Sequence, residues 1–301
     1  MRASPLLLAA IGIAFLSAMD AAVKIVALQE NVLTATWLRY VFGGLLTIPL
    51  VILMRRPLPG KEGLKAHALR GLLLTFTSLS FFYSISILSL AETITLAFIA
   101  PLIVPPMAAL VLKEPMRGNV VIAAIAGFVG VLVTVQGGDA EVAENGDRLL
   151  AVLSVLASAV LYASQTLILR ARAQRDDALA IAALATVVPL VLLTPAALAL
   201  QPLPAVTSLW PAFLSGLLGA GGVLVMVWTY AKAEAQILIV VEYTGLFWAA
   251  LLGWILFQEQ PRWQIFAGAI IIAGACMCVA MTESRARRAL RKQAGQKQSA
   301  F

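Results

Sequence analysis

SLAETITLAFIAPLIVPPMAALVLKEPMRGNVVIAAIAGFVGVLVTV, Ser89 to Val135, is a passage that the chain states twice. An apolar segment broken by Pro101, Pro105 and Pro106 leads into a short turn, Lys113-Glu114-Pro115-Met116-Arg117, and then into a second apolar segment spaced by glycines. The pattern returns 145 positions later, where AQILIVVEYTGLFWAALLGWILFQ runs into Glu259-Gln260-Pro261-Arg262 and WQIFAGAIIIAGACMCVAM follows. Glu114 falls on Glu259, Arg117 on Arg262 and Asn119 on Gln264. Repetition of whole pairs of apolar segments is the pattern of membrane transporters built from internal repeats.

Composition sets the solvent. Of 301 residues, 61% are hydrophobic and only 12% charged, and the mean hydropathy is +0.94. Such a chain suits lipid, where each crossing takes about 20 apolar residues. Ten segments of that size are expected, near 5–27, 32–53, 68–88, 91–112, 118–136, 148–169, 178–199, 207–230, 235–257 and 263–281. The first is too long for the apolar core of a signal peptide and is read as a span. The net charge of +7 does not imply nucleic acid, because its cations lie in short loops and the tail rather than on a face interleaved with aromatics.

Those cations orient the chain. With the N-terminus inside, Arg2, the tail and the inner loops hold 18 Lys and Arg, the outer loops only Arg148 and Arg262, and Lys24 and Arg39 lie within spans. Both termini are therefore expected in the cytoplasm and the protein in the inner (cytoplasmic) membrane. The acidic loop 137–147 falls outside and separates two groups of five. Five is odd, so the second group enters the membrane upside down. The expected fold is all-α and integral to the membrane: ten helices in two inverted five-helix repeats, 5–136 and 148–281, with a basic cytoplasmic tail at 282–301.

At this point the chain resembles the EamA branch of the drug/metabolite transporter superfamily. The likeness rests on Lys24 followed by Arg39-Tyr40, on Pro101 thirteen residues before Glu114, and on glycine-spaced helices at Gly127 and Gly130 and at Gly268 and Gly274. It covers residues 5–281. The resemblance implies two repeats around a central cavity that opens alternately to each side, and export of amino acids, aromatic ones among them, or of other metabolites. Vitamins, S-adenosylmethionine and quaternary amines are the alternatives within the superfamily. One departure stands out: Leu246, beside Gly245, occupies the place of the second repeat's proline.

Candidate site residues follow from the cost of charge inside a membrane, about 2.5–3.5 kcal/mol at the centre of a helix. Asp20 and Lys24 lie four apart on one helix face, and Arg39 lies at a similar depth, about 10 Å from the outer end of its segment. An Asp20–Lys24–Arg39 cluster is expected, either meeting a substrate carboxylate and gating, or serving as a structural ion pair with Lys24 snorkelling outward. Glu242 lies on the inner side with no counter-charge near in sequence. It is the proton-coupling candidate or the receptor of a substrate ammonium, against the alternative of a neutral hydrogen-bonded acid. The prolines point to Phe98–Pro106 as hinge or binding site, since each removes a backbone donor. Tyr83, Phe98, Tyr243 and Trp248 are the mid-span aromatics nearest the breaks and are expected to line the cavity.

Other chemistries lack their motifs. The sequence has no GxxxxGK[ST], HExxH or G-x-S-x-G, so transport driven by a solute gradient, exchange or protons is expected rather than ATP hydrolysis or enzymatic catalysis. No cofactor or metal is implied: Cys276 and Cys278 are read as small packing residues and His67, the single histidine, as solvated in a basic loop. The partners are a small-molecule substrate and the bilayer, with no nucleic acid, and monomer and homodimer both remain open.

Overall fold

The computed structural model describes residues 5–112, 118–136, 147–172, 175–230, 244–275, 277–278 and 281. Among these, helices follow one another without a strand: α1 (Pro5–Gln29), α2 (Val32–Leu53), α3 (Lys61–Ile87), α4 (Leu90–Ala97), α5 (Ala100–Leu112), α6 (Gly118–Val135), α7 (Asp147–Arg172), α8 (Ala178–Leu200), α9 (Val206–Tyr230), α10 (Thr244–Phe257) and α11 (Trp263–Ala275). An all-helical chain is what lipid permits, since a helix satisfies its backbone polar groups internally. Six of the described helices, α1, α2, α3, α7, α8 and α9, are long and apolar enough to cross a membrane. Shorter apolar helices lie in the four remaining expected segments.

Helix starts are written in short polar side chains. Asn31 accepts the Thr34 N–H at 2.8 Å and opens α2 two residues after α1 ends. Ser89 accepts the Glu92 N–H at 3.2 Å and opens α4, and Asp177 accepts the N–H groups of Leu179 and Ala180 and opens α8. Each cap satisfies donors that the first turn of a helix leaves free. The expected fourth span is in two pieces. Pro101 cannot donate to the carbonyl one turn back, so α4 ends at Ala97 and α5 begins at Ala100. Between them the N–H groups of Phe98 and Ile99 tighten onto Thr95 and Leu96 three residues back.

Helices of the two halves interleave. The closest packed pairs are α1 with α9, α3 with α7 and α2 with α8, followed by α2 with α9, α3 with α8, and α1 with α10. Take each helix of the first half for the helix one repeat later: α1 for α7, α2 for α8, α3 for α9 and the broken α4–α5 for α10. Then α1·α9 becomes α7·α3, α2·α9 becomes α8·α3, and α2·α8 maps onto itself. The pattern of contacts survives the exchange.

Glycine lets backbones meet where the two halves end. A Cβ on Gly268 of α11 would strike the Thr134 hydroxyl and come within 2.6 Å of the Gly130 carbonyl oxygen of α6. A Cβ on Gly130 would reach Ile272 at 2.6 Å. Small residues permit this approach in lipid, where dispersion contacts rather than expulsion of water hold helices together. Gly274, by contrast, faces open space. Val131 and Ile272 flank the crossing in a buried cluster that also takes in Leu88, Leu96 and Val155.

The loop ends correct two expectations. His67 is 1% exposed rather than solvated, because α3 begins at Lys61 and carries it one helical turn further into the bundle, where its Nε2 meets Asp176 at 2.9 Å. Arg70, expected in the same loop, is buried and donates from Nε to Gln165 Oε1 of α7 at 3.0 Å. Cys278 is exposed rather than packed, and Cys276 lies outside the described residues.

Replacing Gly268 with valine is expected to lower stability by about 1–3 kcal/mol, the usual cost of overpacking. Thermal unfolding in detergent measures it, and Gly274→Val, which meets nothing, is the control expected to stay near wild type.

Candidate functional site

At the end of the bundle where α1 meets α2, a buried ion pair ties three elements together. Lys24 lies five residues before the end of α1, about 8 Å in from it. It is 5% exposed, and its ammonium donates to Glu259 Oε1 at 2.5 Å and to the Leu88 carbonyl at 2.8 Å. The other carboxylate oxygen of Glu259 accepts the Leu90 N–H at 2.8 Å, one of the free donors at the start of α4. The Phe257 ring lies 5.0 Å from the ammonium. Local structure aims the acid inward. Gln258 adopts φ 57°, the Glu259 N–H turns back to the Gly253 carbonyl at 3.1 Å, and a Cβ on Gly253 would stand 2.5 Å from Glu259 Oε2. The node thereby joins α1, the α3–α4 turn and the α10–α11 loop.

A second pair reinforces that end. Arg148, in the first turn of α7, donates to Glu92 Oε1 of α4 and to the Val135 carbonyl that closes α6, both at 2.6 Å. Nearby, Glu30 fastens the α1–α2 turn to the α8–α9 loop. The Ser208 hydroxyl at 2.6 Å and the Ala205 N–H at 2.8 Å donate to its Oε1, and in that order they hold its carboxyl below the ordinary value of 4.5. A lowered folded-state value contributes stability that is fully present above the ordinary value and fades as pH falls through the lowered one.

The expected Asp20–Lys24–Arg39 cluster is therefore split. Lys24 takes Glu259 rather than Asp20, because Glu259 brings to its level an acid that neighbours in sequence cannot supply. It does not snorkel. Arg39 reaches Met19, the residue beside Asp20, but Asp20 and Arg39 form no ion pair. Among the described residues Asp20 has no hydrogen bond. Arg39 has one weak acceptor, the Met19 thioether at 3.0 Å from its Nε, and its Nη1 is buried with no partner. The guanidinium is held in place by rings instead, 4.7 Å from the centroid of Tyr40 and 5.4 Å from that of Phe82. Tyr40 is fixed in turn by a 2.6 Å hydrogen bond between its hydroxyl and that of Ser78. Gly219 of α9 leaves room on the far side, 3.6 Å from the Arg39 Nε to where its Cβ would be.

The other candidates fall in different places. Phe98 stands at the α4–α5 break, packed between two buried clusters, beside a small apolar crevice of about 120 Å³ that Leu246 and Ala269 also line. Its ring lies 3.8 Å from where a Cβ on Gly245 would be, so the glycine beside the missing proline receives it. Pro101 is the second residue of α5. Tyr83 packs into the apolar cluster around Leu88 and Leu96, away from Arg39, because a turn of α3 separates it from Ser78. Trp248 meets the edge of Phe247, centroids 5.3 Å apart. Glu242 and Tyr243 lie outside the described residues, as does Glu114. Glu259, Glu92 and Arg148 are the site residues that sequence reasoning left out. For Glu259 the signal was present in the repeated turn, whose Glu and Arg three residues apart recur as Glu114 and Arg117 and as Glu259 and Arg262, read as a landmark of symmetry rather than as an ion-pair partner.

The profile of the EamA-like transporter family matches the chain twice, over residues 3–136 and 149–281. The chain belongs to the EamA-like transporter family. This places it in the drug/metabolite transporter superfamily, and it is a multi-pass membrane transporter. It is similar to the S-adenosylmethionine uptake transporter of Rickettsia bellii (strain RML369-C), 24% identical over 275 residues that cover 90% of this chain and 91% of that protein. It is also similar to the protein of the same name from Rickettsia prowazekii (strain Madrid E), 22% identical over 252 residues, 82% of each. One solved crystal structure matches with a TM-score of 0.62 at 17% identity, over 95% of this chain and 99% of the other, which shows the shared fold. In this EamA-family transporter the Lys24–Glu259 pair joins α1, the α3–α4 turn and the α10–α11 loop, and neither Asp20 nor Arg39 forms an ion pair among the described residues.

Removing one partner of a buried pair leaves a charge stranded. Glu259→Gln is expected to lower stability by about 2–4 kcal/mol, and Lys24→Met with Glu259→Gln by less than the sum of the single changes. Thermal unfolding of the four proteins reads the coupling. Acidification is expected to lower the melting temperature through loss of the Glu30 tether, and Glu30→Gln to remove that part of the pH dependence.

Proposed function

We propose that this transporter is a secondary carrier of solutes with an α-amino-acid head, S-adenosylmethionine and amino acids among them, working by alternating access. The observation that carries the reading is the unpaired Asp20 and Arg39. Asp20 has no hydrogen bond among the described residues, and Arg39, whose Nη1 is buried without a partner, reaches the adjoining Met19 but forms no ion pair with Asp20. A zwitterion completes both: its ammonium meets Asp20 and its carboxylate meets Arg39, each bond strengthened by the low dielectric. Tyr40 and Phe82, whose rings already hold the guanidinium, keep it oriented between visits.

The names of the relatives fit this chemistry, since S-adenosylmethionine carries such a head. Export, the expectation from the resemblance, and uptake, the word in those names, are two directions of one carrier cycle. The cycle itself is supported by the packing pattern that survives exchange of the halves and by the two family matches, both in keeping with ten helices in two inverted repeats. With the charge distribution setting both termini in the cytoplasm of an inner membrane, the Lys24–Glu259 node lies on the outer face and parts when that face opens. Phe98 and the α4–α5 break supply the hinge.

Counterflow in proteoliposomes tests the reading. Preloaded S-adenosylmethionine or methionine is expected to accelerate entry of its labelled counterpart, which a channel would not do. Asp20→Asn and Arg39→Gln are each expected to reduce it by tenfold or more, roughly the worth of one charge-assisted hydrogen bond. An amine lacking the carboxylate is expected to compete poorly. Full counterflow in both variants would overturn the assignment.

A further inference from the structure

We propose that an anionic phospholipid binds in the cleft between the end of α2 and the start of α8, its acyl chain in the cleft and its phosphate on Arg55 and Arg56. The cleft is about 310 Å³, within the range of ligand sites. Ile48 and Val51 of α2 and Leu184 and Val187 of α8 form its walls, which offer no side-chain donor or acceptor. Only the rim is polar, and it is cationic.

Position and charge choose the occupant. The α2 helix ends at Leu53 and α8 begins at Ala178, so the cleft sits where both helices leave the apolar zone. Ile52 and Leu58, which line it, are 68% and 69% exposed, a surface that suits lipid and not water. Arg56 is shared with Asp177 at 3.6 Å, whereas Arg55 forms no ion pair or side-chain hydrogen bond among the described residues. One positive charge is thus left over at the mouth of an apolar slot. Arg55 also adopts φ 49°, a conformation that residues with a side chain seldom take. That turn sets two arginines side by side at the mouth. An apolar slot capped by surplus arginine matches a lipid with a net negative headgroup, because a zwitterionic headgroup brings a cation that the arginines repel.

The test uses the full chain in detergent, titrated with phosphatidylglycerol or phosphatidylcholine of the same acyl chains, and native mass spectrometry counts the bound lipid. Phosphatidylglycerol is expected to bind wild type at least fivefold more tightly. Arg55→Gln is expected to weaken it about fivefold, the effect of one arginine at a membrane surface, and Arg55→Gln with Arg56→Gln to abolish the preference. Ile52→Trp, at a position 68% exposed, obstructs the cleft with both charges intact and is expected to reduce binding of either lipid. Glycerol phosphate, the headgroup chemistry without the chain, is expected not to compete. Equal binding of the two lipids by wild type, an unchanged preference in the double variant, or displacement by glycerol phosphate would each overturn the proposal. Counterflow by these variants is a separate readout, so loss of the lipid site does not bear on Asp20 and Arg39.

Discussion

An ammonium and a carboxylate held 2.5 Å apart and shielded from solvent fix the arrangement of one whole end of this transporter. Neither ion could stay there alone, because the desolvation of each is offset only by the other and by the backbone groups of Leu88 and Leu90. Four polar partners therefore have to arrive together from α1, the α3–α4 turn and the α10–α11 loop. Removing any one of the four would strand a charge in a low dielectric.

The rest of the bundle is held by packing rather than by charge. Apolar helices sliding in lipid expose nothing that water would penalise, and glycine contacts such as Gly130 with Gly268 bind helices by shape alone. Packing between the described helices keeps its pattern on exchange of the halves, as internal repeats require.

Polar groups away from the joint divide by how completely they are satisfied. Tyr40 with Ser78 and Arg70 with Gln165 have side-chain partners and behave as structure. Among the described residues Asp20 has no hydrogen bond and Arg39 only the Met19 thioether, and a polar group left short of partners in a bundle is costly to keep unless something outside the fold completes it. This contrast, more than the presence of charge, marks the site. Counting charges in the sequence would have placed Lys24 and Arg39 in one class, although one is spent on Glu259 and the other is held open by aromatic rings.

The sequence by itself determined the solvent, the helical class, the duplication and the family, because each depends on composition or on spacing along the chain. Length and apolarity define a span, a proline removes a donor wherever it stands, and the recurrence of Glu114 and Arg117 as Glu259 and Arg262 can be read without knowing what they touch. Tertiary structure decided which charges meet. Lys24 is four residues from Asp20 and 235 from Glu259, yet it bonds to the distant acid. It likewise decided that His67 and Arg70, written among loop cations, are inside the bundle. The reason is physical: periodicity reports which face of a helix is apolar, whereas pairing depends on which helix lies opposite and at what depth, and in lipid that is set by close packing over the whole bundle.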